Sequence, residues 1–117
     1  MDLTGKWKYE EDYLYGKAKG ELLLKQEGNK LSGKIIFTDE MIGEEPYMLQ
    51  EEISGTVKEN RVKIKAENYD IIYSEQEIFY ELDSWQGTLV DEDTITGRSK
   101  DTQGVSGKFT FTRMKKD

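Results

Sequence analysis

Six short stretches of this chain share one form: an apolar residue, a small or polar one, a glycine, and in most cases another apolar residue two positions on. They read LTGKW at 3–7, LSGKI at 31–35, ISGTV at 53–57, WQGTL at 85–89, ITGRS at 95–99 and VSGKF at 105–109. In a strand, residues i, i+2 and i+4 share a face. Leu31, Gly33, Ile35 and Phe37 therefore point one way, and Ser32, Lys34 and Thr38 the other. The same holds for Ile53-Gly55-Val57 and for Val105-Gly107-Phe109-Phe111. Each glycine falls on the apolar face, where a missing side chain lets the strand coil and leaves room for large neighbours across a narrow interior. The intervals between glycines are irregular, so the repetition belongs to strand construction and not to a solenoid period.

Alternation at period two runs through most of the chain, and no segment sustains a helical period. It predicts eight strands, at 4–13, 18–27, 30–38, 48–58, 61–69, 76–90, 94–100 and 105–114. Gly28-Asn29, Glu59-Asn60 and Asp91-Glu92-Asp93 form tight connections from residue types that tolerate positive φ. The longest predicted connection, 39–47, holds Gly43 and Pro46, the only proline. Short links between successive strands imply sequential antiparallel pairing. Eight such strands without a covering helix leave two raw edges, which closure removes. The expected fold is all-β: one domain over 1–117, an eight-stranded antiparallel up-and-down β-barrel.

Strand six breaks the pattern. Counting back from Trp85 turns Asp83, Glu81, Phe79 and Glu77 inward and Ile78, Tyr80 and Leu82 outward. Either a β-bulge near Asp83-Ser84 switches the register, or the barrel holds acidic groups. The cost of burying unpaired carboxylates favours the bulge.

Composition narrows the function. Apolar and charged residues each make up 35% of the 117 residues, a balance that leans toward disorder. Seven Tyr, four Phe and two Trp oppose that, and strands with one wet face satisfy both facts. A net charge of −7 and a pI near 4.7 argue against nucleic acid and anionic membranes, which need cationic surfaces. No apolar run is long enough to span a membrane as a helix. Met1 fits a cytosolic chain or a secreted or periplasmic one whose signal has been removed, and the sequence leaves that choice open, as it does monomer against dimer.

The chain has no Cys and no His, so thiolate chemistry, His-based catalysis and the usual transition-metal sites are not expected. The clusters Glu10-Glu11-Asp12, Glu44-Glu45 and Asp91-Glu92-Asp93 lack EF-hand spacing and read as solvated turns, with no metal. Acid–base work by Glu77, Glu81 or Asp83 would need them inside a pocket, where the bulge does not put them. The chain reads as a non-enzyme without cofactor.

Two short motifs carry a family resemblance. Gly5-Lys6-Trp7 matches the G-x-W signature of the calycin superfamily, which includes lipocalins, fatty-acid-binding proteins and avidins, and Arg113 in FTFTR matches their last-strand cation. The resemblance implies that Arg113 packs across Trp7 and, with Gly5, closes one end of a lipocalin-like barrel. Parity agrees, since Arg113 falls with Phe109 and Phe111, and Trp7 with Leu3 and Gly5. The termini are most similar to avidins. Yet Lys8-Tyr9-Glu10-Glu11-Asp12 stands where avidins grip biotin, and only Trp85 is available beyond Trp7, so biotin is not the expected ligand. Residues 10–20 leave no space for the helical pair of fatty-acid-binding proteins, and four residues after Arg113 leave none for a lipocalin helix. NYDIIY at 68–73 resembles the lipocalin T-D-Y motif only with its order broken. The chain looks like a minimal lipocalin-like bacterial barrel.

The inner face then supplies the candidate ligand residues: Tyr9, Leu22, Leu24, Phe37, Trp85 and Phe111. They would enclose a small hydrophobic or aromatic ligand, or simply fill the core. Tyr13, Tyr15 and Tyr47 fall at strand ends, at a barrel mouth or a partner surface. The alternative function is a protein-interaction module, an inhibitor or assembly partner, with a solid barrel and acidic, Tyr-bearing loops.

Overall fold

The computed structural model describes residues 2–114. Eight strands follow one another: β1 (Gly5–Tyr13), β2 (Gly16–Glu27), β3 (Lys30–Met41), β4 (Tyr47–Lys58), β5 (Arg61–Tyr73), β6 (Asp83–Asp91), β7 (Thr94–Asp101) and β8 (Ser106–Arg113). Each pairs antiparallel with the next, and β8 returns to β1, with Trp7 opposite Arg113 and Tyr9 opposite Phe111. The predicted closed up-and-down barrel is the observed one, and no helix occurs among the described residues.

The alternation explains the interior. Along β1, Trp7, Tyr9 and Glu11 are buried while Lys6, Lys8, Glu10 and Asp12 are exposed. Along β4, Tyr47, Leu49, Glu51, Ile53 and Val57 turn inward. At the glycines, the neighbouring strand's backbone folds over the inner face. A Cβ on Gly97 would collide with the carbonyl oxygen of Gln86, and one on Gly33 with that of Leu23. Gly33 also has φ of 152°, a conformation L side chains rarely adopt. The repeated glycine is thus the contact point that lets this small cylinder coil tightly.

Gly28 turns at φ 62° between β2 and β3, and Glu59 at φ 56° between β4 and β5. A non-glycine residue in the left-handed region costs roughly 1–2 kcal/mol. Glu59→Gly should therefore raise stability by about 0.5–1 kcal/mol after the extra chain entropy of glycine is counted, read as a higher urea midpoint. A lower midpoint would show that the turn is not strained.

The predicted sixth strand, 76–90, is corrected. Its ladder begins only at Asp83, and 74–82 forms an irregular segment. That segment, and not 39–47, is the longest connection. The inversion expected near Asp83 comes from this strand end, not from a bulge there: Ile78, Tyr80 and Leu82 pack against the core, while Glu77, Phe79 and Glu81 are exposed. The cause lies in β5, whose register against β4 shifts at Glu52/Ile53 and again at Met48/Leu49. Such irregularities bend a strand away from its neighbour. β5 meets β6 only over Arg61–Lys65, so the chain before Asp83 has no partner to pair with.

Candidate functional site

The two ends of the barrel are built differently. At one end lie the chain start, the turns at 28–29, 59–60 and 92–93, and Arg113. The guanidinium carbon of Arg113 sits 4.4 Å from the Trp7 ring centroid. Trp7 Nε1 donates to the Leu3 carbonyl at 2.9 Å, and Arg113 Nε pairs with Asp93 at 3.2 Å. Arg113 Nη2 donates to the carbonyl oxygens of Asp2 and Glu92. The Nη1 atom lies 3.9 Å from where a Cβ of Gly5 would stand. Gly5, Trp7 and Arg113 form one plug.

The middle is filled. Leu22, Leu24, Phe37, Trp85 and Phe111 are all buried. Tyr9 packs on three of these rings, with centroids 5.5 Å from Phe37, 5.6 Å from Phe111 and 6.2 Å from Trp85. Of the six predicted ligand residues only Tyr9 reaches the space above, and the other five pack below it as core.

That space is a cavity of about 340 Å³ at the opposite end, among the connections 14–15, 42–46, 74–82 and 102–105. Tyr13 and Tyr47 line it from strand ends, Tyr15 from the 14–15 connection and Tyr80 from the irregular segment, so the predicted mouth tyrosines do meet. Tyr80 bridges the opening, with ring centroids 6.0 Å from Phe37, 6.3 Å from Tyr47 and 5.9 Å from Tyr69.

Four carboxyl groups turn into this end, and three are held by phenols. Glu11 accepts from Tyr9 at 2.6 Å, Ser99 at 2.7 Å and Trp85 Nε1 at 3.1 Å. Asp39 accepts from Tyr13 and from Tyr47, the latter at 2.8 Å. Asp83 accepts from the Tyr80 hydroxyl. Glu51, 0% exposed, has no hydrogen-bond partner on either oxygen. The reading of Glu10-Glu11-Asp12 as a solvated turn is corrected: these residues lie in β1, and Glu11 is inward.

Burial dominates the electrostatics. It raises the carboxyls of Glu11 and Asp39 above their usual range, partly offset by their hydroxyl donors. Burial, then the charge of Asp83, pushes Glu51 up to about 9, partly offset by the nearby Asp83 backbone N–H. Asp83 rises to about 7 through burial and then the neighbouring Glu11 and Asp101 carboxylates, against the Tyr80 hydrogen bond. The phenols of Tyr9, Tyr13, Tyr47 and Tyr80 are all raised, first by burial, so they remain donors. No set of three or more acidic side chains among the described residues is arranged to hold a metal ion.

Sequence reasoning passed over Asp39 and Glu51, placed Glu11 in a solvated turn, and named Tyr80 only in the register of strand six. The parity rule that turns Tyr9, Phe37 and Leu49 inward also turns inward Glu11, Asp39 and Glu51, two residues further along each strand. The signal was available for these three. For Tyr80 the signal was indirect: the register inversion expected near Asp83 turns it inward with Ile78 and Leu82, as observed, though by the strand's end and not by a bulge.

No protein-family model matches the sequence, and no curated protein does. Among solved structures the barrel is similar to a redesigned β-barrel, mFAP1, bound to DFHBI: 15% identity and a TM-score of 0.63 over 95% of this chain and 94% of that one. It is also similar to mFAP0, another redesigned barrel bound to DFHBI, at 17% identity and a TM-score of 0.61 over 95% of this chain and 98% of that one. A de novo designed fluorescence-activating β-barrel aligns at 15% identity and a TM-score of 0.57, covering 96% of this chain and 94% of the other. At these identities the likeness is one of fold.

Proposed function

We propose that this chain is a non-enzymatic, calycin-type barrel that binds a small organic molecule with an aromatic or apolar body at its open end. The observation that carries this reading is the 340 Å³ cavity, walled by tyrosine rings over a filled core and opposite a plugged end. Its size falls within the range typical of small-molecule sites. The G-x-W and terminal Arg pair supports the calycin assignment, and redesigned barrels of this fold that hold DFHBI support the role of a carrier of compact ligands.

The neutral fluorogenic dye 1-aminoanthracene should bind saturably with one site and a blue-shifted emission. Ala18→Phe, which fills the cavity from β2, should abolish the signal while the far-ultraviolet circular dichroism is retained. No saturable binding by the folded protein, or undiminished binding to the filled variant, would remove this reading.

One observation favours the interaction module instead. The rim of the same mouth exposes Leu14, Ile42 and Phe79, at 77%, 82% and 89% of their full surface. A protein partner lost in Phe79→Ser, with dye binding intact, would support that second role.

A further inference from the structure

We infer that the open-end cavity is built for an organic ammonium ion, an amine with an aromatic or apolar body whose charged head sits among the tyrosine rings beside Asp39 and Asp83. This deepens the ligand-binding reading above and rests on it. Five tyrosines and five carboxylates line the cavity, and not one Lys or Arg does. The ion pairs among the described residues are Lys6–Glu21, Lys8–Glu10, Lys25–Glu27, Lys65–Glu67 and Arg113–Asp93, so none reaches Glu11, Asp39, Glu51 or Asp83. Buried carboxylates are ordinarily matched by a cation or a metal. Here Tyr9, Tyr47 and Tyr80 each donate to one of Glu11, Asp39 and Asp83, and a hydroxyl donor leaves the charge uncompensated.

Glu51, outside the cavity lining, registers the same uncompensated charge. It is fully buried on the inner face of β4, with no side-chain donor on either oxygen and only the Asp83 backbone N–H nearby. The three carboxylates that act on it most, Asp83, Glu11 and Asp39, all line the cavity. A neutral guest would leave this negative potential unmatched, and an anion would be repelled. An ammonium compensates it, and tyrosine faces add cation–π attraction.

Without a guest, protons supply the missing positive charge. Asp83, raised to about 7, faces Glu11 and Tyr9 from β1, Asp39 from β3, Glu51 and Tyr47 from β4, Asp101 from β7 and Tyr80 from the irregular segment, with no cation among them. A bound ammonium takes the place of that proton, which leaves to solvent.

The test compares three probes of one shape on the intact chain by calorimetry: 2-(1-naphthyl)ethylamine, 2-(1-naphthyl)ethanol and 1-naphthylacetate. At pH 8 the amine should bind at least about tenfold tighter than the alcohol, and the acetate should not bind. Between pH 8 and pH 6 the amine should weaken about tenfold as protons compete at Asp83, while the alcohol stays level. Asp83→Asn combined with Asp39→Asn should bring the amine's affinity down to that of the alcohol, both measured on this variant with its far-ultraviolet circular dichroism retained. Alcohol binding equal to or tighter than the amine's would overturn the ammonium assignment and leave the ligand-binding reading standing. So would an undiminished amine preference in the double variant. If none of the three binds the folded protein, both fall.

Discussion

Replacing Trp7 by alanine should cost the barrel about 3–5 kcal/mol, as deletion of a large buried aromatic does. Trp7 is 0% exposed, donates its indole N–H to Leu3, and forms the surface on which Arg113 lies. Its removal takes out the ring and the cation–π contact together, the latter worth roughly 0.5–2 kcal/mol. It also leaves the Arg113 side chain held only by Asp93 and two carbonyl groups. At about 4 °C per kcal/mol for a domain of this size, the melting temperature should fall by about 12–20 °C. Arg113→Met keeps the ring covered and should cost much less. A Trp7→Ala midpoint within about 1 kcal/mol of wild type would mean that the plug does not hold the barrel.

The second large effect is a gain. Glu51→Gln should stabilise the folded state at pH 7 by about 3–4 kcal/mol, measured by urea unfolding. The Glu51 carboxyl titrates near 9 in the fold against 4.5 in a free side chain. Between those values the folded chain holds a proton that the unfolded chain releases, so stability falls as pH rises, by about 1.4 kcal/mol per pH unit. The loss is absent below about pH 4.5 and complete above about pH 9. Glutamine has the shape of the protonated acid and nothing to titrate. Its advantage should therefore vanish near pH 4 and widen through pH 8. Equal midpoints for the two proteins at pH 7 would show that Glu51 is not buried unpartnered.

The strands and their closure were legible because period two is a local signal, and the glycines fell on the same parity as the core. Gly33, Gly55 and Gly107 mark that face within single strands, and Trp7 and Arg113 mark where the first and last strands meet at the plugged end. The floor of the site was half legible. The same count that turned Tyr9 inward also reached Glu11, but nothing near Glu11 in sequence announces that a carboxylate is tolerated there. Two of its donors, Trp85 and Ser99, lie 74 and 88 residues away and come within reach only when the barrel closes. The sixth strand was misread for a different reason. Ile78, Tyr80 and Leu82 alternate as a strand would, yet an alternating segment needs a neighbour to pair with, and the register shifts of β5 take that neighbour away. Pairing is a property of two strands, and one strand's sequence carries only half of it.

The short seam between β5 and β6 has a mechanical consequence. A cylinder stitched all the way round resists widening, because any increase in girth must break hydrogen bonds. This one is stitched at that seam only from Arg61 to Lys65, and from Ala66 to Tyr73 β5 has no strand beside it on that flank. There the wall is completed by side chains of 74–82, chiefly Tyr80 against Tyr69. The hoop is therefore rigid at the plugged end and slit at the other. Widening the mouth along that slit breaks no strand-to-strand hydrogen bond; it costs chiefly the Tyr80–Tyr69 ring contact and the bond from the Tyr80 N–H to the Tyr69 hydroxyl.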